Sequence, residues 1–257
     1  MLRKIKPRSG TGDDQPQGIG IFGGTFNPVH IAHLRAAEEI REILGLGKII
    51  FVPAGNPPLK GSAGLAPAKA RLKMVKLAIK GNPYFEVSDL ECRRDPEACR
   101  KTAGPSYTVK TLEKFREKFG ASRLFFITGA DVFENLHLWW RPERLTELAD
   151  FVVMSRPGFN FSGLMRSPFV DRKSLTVRLR SEIAALDAGP LKKGRVVKLK
   201  LKLASGRALY LVRVTDMEVS AREIRALLAA GKSARYLLPE AVLSFIIANG
   251  FYLKPSS

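Results

Sequence analysis

Short apolar runs that alternate with segments of helical period predict an α/β chain wound into a largely parallel sheet. Two further observations support that class. Candidate turns at Gly23, Pro53, Gly129 and Arg156 each follow an apolar run directly, and an open parallel sheet binds its ligands beyond that end of its strands. Residues 196–203 read Val-Val-Lys-Leu-Lys-Leu-Lys-Leu, the period-two alternation of a half-exposed strand.

Taken in order, residues 1–17 are polar, basic and aperiodic and read as a disordered leader. The run 18–22 is a first strand that enters Gly23-Gly24-Thr25. A helix from about residue 31 ends near Leu44, with Gly45 as its C′ glycine. Residues 49–52 form a second strand, stopped by Pro53 and the Asn56-Pro57-Pro58 loop. Residues 68–80 carry Leu72, Val75, Leu77 and Ile79 at helical spacing and stop at Gly81-Asn82-Pro83. A short strand at 85–87 precedes a long loop, roughly 89–106, and a helix at 108–119. Strands at 124–127 and 151–154 continue the alternation, which implies right-handed crossovers.

Residues 158–213 depart from the pattern. Runs 196–203 and 208–214 flank Ala204-Ser205-Gly206-Arg207 and predict a β-hairpin with a lysine-rich face, within a basic insert at about 160–212. C-terminal helices at about 220–249 follow. Ser220 and Glu223 have capping-box spacing, Gly231 stops that helix, and Pro239 is expected at the first position of the last one, which ends at Asn249-Gly250. The expected architecture is one Rossmann-like, doubly wound domain over 18–257, with a small helical C-terminal part and a basic β-hairpin insert.

Composition bounds the function. Apolar residues make up 45% of 257, enough for a sizeable core. No apolar run approaches the roughly 20 residues that span a bilayer, and no apolar stretch follows the N-terminal basic residues, so a cytoplasmic protein without a membrane partner is expected. Cys92 and Cys99 read as incidental thiols, with a small redox loop as the alternative. The net charge of +19 is uneven: residues 156–213 hold fourteen Lys/Arg against three Asp/Glu. Such a surface attracts polyanions, from nucleotides to nucleic acid. Lys198, Lys200 and Lys202 could serve nucleic acid, but no aromatic residue interleaves them, and lysine is a standard guard of an exposed sheet edge.

The chemistry concentrates in Gly23-Gly24-Thr25-Phe26-Asn27-Pro28-Val29-His30-Ile31-Ala32-His33. Glycines after a buried strand let backbone N–H groups approach a phosphate, and the helix start adds partial positive charge. His30 and His33 share a helix face and can donate to phosphate oxygens as charge builds in a transition state. A zinc site would want a third ligand, and His137 is the only other histidine, so no protein-held metal is expected.

These eleven residues resemble the signature of the nucleotidyltransferase superfamily with a His-x-Gly-His motif, with Ala32 at the glycine position. Further segments narrow the resemblance to the bacterial nicotinate-nucleotide adenylyltransferases. They are 51–60, with Leu59 where a histidine is usual; Ser106-Tyr107-Thr108; Gly129-Ala130-Asp131 ahead of Trp139; Arg156-Pro157-Gly158; and Val219-Ser220 with Ile224-Arg225, where Arg222 replaces a Thr or Ser. The resemblance covers most of 18–158 and 217–253. It implies adenylyl transfer from ATP to nicotinate mononucleotide, giving deamido-NAD and pyrophosphate. His30 and His33 would act on the ATP phosphates. Gly23, Gly24, Thr25, Phe26, Lys60, Asp131, Ser220 and Arg225 would bind ATP. Asn56, Ser106, Tyr107, Thr108, Trp139, Trp140 and Arg156 would bind the pyridine nucleotide, and Mg²⁺ would arrive on the nucleotide. Two alternatives stay open: another phosphate acceptor (nicotinamide mononucleotide or phosphopantetheine), and a nucleic-acid-binding module. Whether the chain forms a homo-oligomer is open as well.

Overall fold

The computed structural model describes residues 18–57, 64–92, 107–156, 158–188 and 198–254. The leader at 1–17, Leu59, Lys60, Cys99, Ser106 and Pro157 lie outside the described residues. The described strands form one sheet: β1 (Ile19–Gly24), β2 (Lys48–Pro53), β3 (Phe85–Val87), β4 (Leu124–Gly129), β5 (Asp150–Met154), β6 (Lys198–Lys202) and β7 (Ala208–Val212). Their order is β3-β2-β1-β4-β5-β7-β6. Every neighbouring pair is parallel except β6 with β7. The chain leaves β1 toward β2 and β3, then returns to place β4 on the other side of β1, so the topological switch point lies between β1 and β4.

The described α-helices are α1 (Ile31–Leu44), α2 (Ala68–Ala78), α3 (Thr108–Phe119), α4 (Ala130–Glu134), α5 (Pro142–Leu148), α6 (Phe161–Leu164), α7 (Val177–Asp187), α8 (Ala221–Ala229) and α9 (Glu240–Ala248). They cover both faces of the sheet. One core joins α3, α5 and α7 through Leu112, Leu145 and Ile183; the other joins α1, α2, α8 and α9 through Ile40, Met74, Ile224 and Ile246. Consecutive strand residues enter opposite cores, as Ile21 and Phe22, Ile50 and Phe51, and Phe126 and Ile127 do. The period-two geometry of a strand requires that, and it explains why these strands read as unbroken apolar runs.

The hairpin expected as an insert is continuous with the main sheet. β7 pairs with β5 in parallel, Phe151 opposite Leu209 and Met154 opposite Val212. Its sequence Ala-Leu-Tyr-Leu-Val is apolar on both faces, the pattern of an interior strand. β6 is the edge, with Leu199 and Leu201 buried and Lys198, Lys200 and Lys202 exposed, as the alternation predicts. Pro239 stands one position earlier than expected, at the N-cap of α9. No helix among the described residues is long and apolar enough to cross a membrane.

Candidate active site

β1 ends at Gly24, and the chain must turn sharply to start α1 at Ile31. A Cβ at Gly24 would come within 2.9 Å of the Phe26 ring, so a larger residue there would displace that ring. Phe26 itself has φ 47, in the left-handed region, which costs a non-glycine residue about 1–2 kcal/mol. Its buried ring offsets this by packing edge-on against Phe22 (centroids 5.6 Å) and His33 (5.2 Å) and tilted against Phe51 (5.7 Å).

His30 is the N-cap of α1 and is 5% exposed. Its ring lies 3.7 Å from that of His33, centroid to centroid. The His30 backbone N–H donates to His33 Nδ1 at 3.3 Å, so a neutral His33 carries its proton on Nε2. Burial lowers the His30 pKa to about 4, the Arg156 charge adds to the shift, and Glu223 opposes it. His30 is therefore neutral near pH 7, and its buried Nδ1 has no hydrogen-bond partner among the described residues. The first turn of α1 contains no acidic side chain, which leaves the positive end of the helix dipole uncompensated.

Arg71 of α2 braces this turn. It is fully buried, and its guanidinium donates to three backbone carbonyls: Thr25 (2.7 Å), Gly55 (3.0 Å) and Ala66 (2.9 Å). One side chain thus ties the turn after β1 to the turn after β2. Asn27 makes a second brace. It donates to the Gly64 carbonyl at 2.9 Å and accepts from the Ala66 N–H at 3.0 Å and the Tyr252 hydroxyl at 2.6 Å. Arg225 of α8 donates to the Asn27 carbonyl at 2.8 Å, which brings the C-terminal helices to the same turn. Sequence reasoning missed Arg71, Asn27 and Tyr252. A signal existed for Arg71, a charge at helical spacing with the buried Met74 and Val75 of α2.

Beyond β4 and β5, Arg156 donates to Asp131 Oδ2 at 2.6 Å, and the other Asp131 oxygen is buried without a hydrogen-bond partner among the described residues. Ser220 and Glu223 form the expected capping box at the start of α8: Ser220 Oγ accepts from the Glu223 N–H at 3.2 Å, and Glu223 accepts from the Ser220 N–H at 3.1 Å. Arg156 and Glu223 both act electrostatically on His30, so the ends of β1, β5 and α8 converge there. Arg222 is exposed on α8.

The aromatic residues form a separate layer. Tyr107, the N-cap of α3, packs tilted against Trp140 at 4.7 Å between ring centroids. The Arg141 guanidinium lies 4.7 Å from the Trp140 ring centre and the Lys110 ammonium 5.4 Å. Trp139 is half-buried and packs edge-on against Phe126 at 6.2 Å. The same Phe126 ring would meet a Cβ at Gly23 at 3.2 Å, so Trp139 stands one ring away from the turn after β1. Thr108 opens α3, and Asn56 is exposed on the turn after β2. Lys60 and Ser106 lie outside the described residues. His137 is exposed, its Nδ1 3.2 Å from the Glu134 carbonyl. No group of three or more His, Cys, Asp and Glu that could hold a metal ion forms among the described residues. Cys92 is buried and donates to the Pro53 carbonyl at 3.3 Å, and burial pushes its thiol up to about 11.

Comparison with known proteins agrees with this fold. The cytidylyltransferase-like family matches residues 21–227. The chain is similar to the probable nicotinate-nucleotide adenylyltransferase of Syntrophotalea carbinolica, with 40% identity over 91% of this chain and 96% of that protein. It is similar to the one from Geotalea daltonii at 37% identity, over 91% of this chain and 97% of that protein. Among solved structures, the Plasmodium falciparum nicotinic acid mononucleotide adenylyltransferase complexed with NaAD shares the fold, with a TM-score of 0.61 at 17% identity. That match covers 92% of this chain and 97% of the other.

Proposed function

The chain belongs to the nicotinate-nucleotide adenylyltransferase family, and on that premise we propose that it transfers the adenylyl group of ATP to nicotinate mononucleotide, giving deamido-NAD and pyrophosphate. The observation that carries this reading is the close, tilted His30–His33 pair at the N-terminus of α1, beside the switch point of the sheet.

In the proposed reaction a phosphate oxygen of nicotinate mononucleotide attacks the α-phosphorus of ATP. The new P–O bond forms as the bond to the bridging oxygen breaks, and its electron pair leaves with pyrophosphate. Such transfers ask the protein chiefly for positioning and charge stabilisation. His30, neutral because it is buried, and His33 donate N–H groups to the phosphate oxygens. The backbone amides of Thr25 and Phe26, after Gly23 and Gly24, lie beside them, and Lys60, Ser220 and Arg225 add to the phosphate cluster. Asp131 holds nucleotide hydroxyls. Its ion pair with Arg156 aims that guanidinium toward the pyridine nucleotide. Tyr107, Thr108, Trp139 and Trp140 offer stacking and hydrogen bonds to the pyridine nucleotide, with Asn56 and Ser106 contributing from the adjoining loops. Mg²⁺ enters as part of the substrate MgATP. The same reading places the enzyme in the cytoplasm.

The test is pyrophosphate release from MgATP with nicotinate mononucleotide, nicotinamide mononucleotide and phosphopantetheine offered separately. The reading requires nicotinate mononucleotide to give a kcat/KM at least about tenfold above the others, a difference of roughly 1.4 kcal/mol in transition-state binding. A faster reaction with either other acceptor would reassign the substrate.

A further inference from the structure

The proposed active site does not use most of the positive charge of the chain. At the opposite end of the sheet, the amino ends of β4, β5 and β7 and the edge strand β6 surround an open cavity of about 570 Å³. Four cations line it: Arg123 ahead of β4, Arg207 ahead of β7, and Lys200 and Lys202 on β6. Asp150, the first residue of β5, is the one acidic side chain among the described lining residues, whose net charge is three positive. That carboxylate is already committed. It accepts from Arg123 Nη2 at 2.6 Å and from the Ala208 N–H at 3.0 Å.

The two guanidiniums are held in place from behind. Arg123 also donates to the Tyr210 hydroxyl at 3.3 Å, and Arg207 Nε donates to the Glu147 carbonyl at 2.5 Å. The turn before Arg207 is fixed by Ser205 Oγ, which donates to the Thr146 carbonyl at 2.7 Å. Among the described residues, both Nη groups of Arg207, Nη1 of Arg123 and the Lys202 ammonium have no hydrogen-bond or ion-pair partner. The Lys200 ammonium lies only over the Tyr210 ring, at 6.0 Å. Protection of a sheet edge accounts for the alternating lysines of β6. It does not account for arginines at the heads of β4 and β7, which are interior strands.

We infer that this cavity is a second binding site, distinct from the His30–His33 site, for a compact ligand carrying two or more phosphate groups. The volume falls within the roughly 300–1,000 Å³ of small-molecule sites. Guanidinium forks pair with phosphate oxygens bidentately, and braced arginines lose little freedom on doing so. The cations converge on one cavity that no aromatic side chain among the described residues lines, which favours a compact polyphosphate over a nucleic-acid strand that would stack its bases.

The test is calorimetric titration of the full chain at low salt with inorganic tripolyphosphate and, separately, with ATP. Wild type is compared with Lys202→Glu/Arg207→Glu and with the milder Lys200→Gln/Lys202→Gln. Only the binding lost in these variants is assigned to the cavity, so occupation of the His30–His33 site does not interfere. The charge reversal is expected to weaken that binding about 100-fold or more, as loss of two charge-assisted hydrogen bonds implies. The glutamine pair should weaken it less, with circular dichroism and pyrophosphate release unchanged in both variants. Equal affinities for the two probes would mean that the phosphate chain alone is recognised; tighter ATP binding would mean a nucleotide. Both results uphold the site. Isotherms identical in wild type and both variants would overturn it. So would a fluorescent oligonucleotide that binds wild type more tightly than tripolyphosphate and loses affinity in the same variants, because the surface would then be an extended nucleic-acid track.

Discussion

Replacing Arg71 by methionine removes a buried guanidinium and keeps the volume of an unbranched side chain. The Thr25, Gly55 and Ala66 carbonyls then lose donors at 2.7, 3.0 and 2.9 Å. Hydrogen bonds to a charged group contribute about 1.5–3 kcal/mol each, and the desolvation cost of the buried cation disappears with it. That cost is real here, since burial is the leading influence that lowers the Arg71 pKa, ahead of the opposing contributions of Cys92, Tyr252 and Glu91. The balance is a loss of about 3–5 kcal/mol, or a fall in Tm of roughly 6–20 °C. Function should fall as well, because Arg71 sets the position of the turn after β1 against the turn after β2. A displacement of about 1 Å there can lower kcat by up to 10²-fold. Urea denaturation and steady-state pyrophosphate release measure the two effects separately, and Arg71→Lys, which keeps the charge but not the fork, should fall between. A methionine variant with wild-type midpoint and wild-type kcat would refute the reasoning.

Three further predictions concern separate parts of the site. The His30 pKa is lowered from 6.5 to about 4, so the unfolded chain binds the additional proton as pH falls through that interval. Its contribution to stability is intact above pH 6.5 and is lost progressively toward pH 4, by up to about 3 kcal/mol. Urea midpoints at neutral and acid pH should therefore diverge less in His30→Asn than in wild type. Gly129→Ala would set a methyl 2.5 Å from Asp131 Oδ1. It should push the carboxylate off Arg156 and raise KM for nucleotide while shifting Tm little, because a side-chain end can move aside. Trp140→Ala removes the ring packed against Tyr107. It should raise KM for nicotinate mononucleotide about 2- to 10-fold, the order of one aromatic contact, and leave KM for ATP unchanged.

The sequence and the structure agree best where local chemistry decides the outcome. α1 and α3 have the bounds that the periodicity and glycine stops predicted, and the Ser220–Glu223 capping box forms as its spacing requires. The hairpin was legible as two strands and a turn, but its place in the sheet was not. Pairing of β7 with β5 joins Phe151 to Leu209 across dozens of residues, and no local pattern encodes such a partner. The two histidines stood out because the chain has so few. The braces behind them did not, because Arg71, Asn27 and Tyr252 act on backbone groups that only the folded chain brings within reach. The Arg156–Asp131 pair belongs to the same class: both residues carried roles implied by the resemblance, yet their 2.6 Å contact depends on the adjacency of β4 and β5.

Single-turnover formation of deamido-NAD from MgATP and nicotinate mononucleotide, in wild type and in His30→Ala, tests the central claim most directly. The account predicts that the substituted enzyme binds both substrates with little change but forms product at least about 10²-fold more slowly, the effect of losing one donor aimed at developing charge. Equal rates in the two proteins would contradict it, because the histidine pair would then contribute nothing to the chemical step.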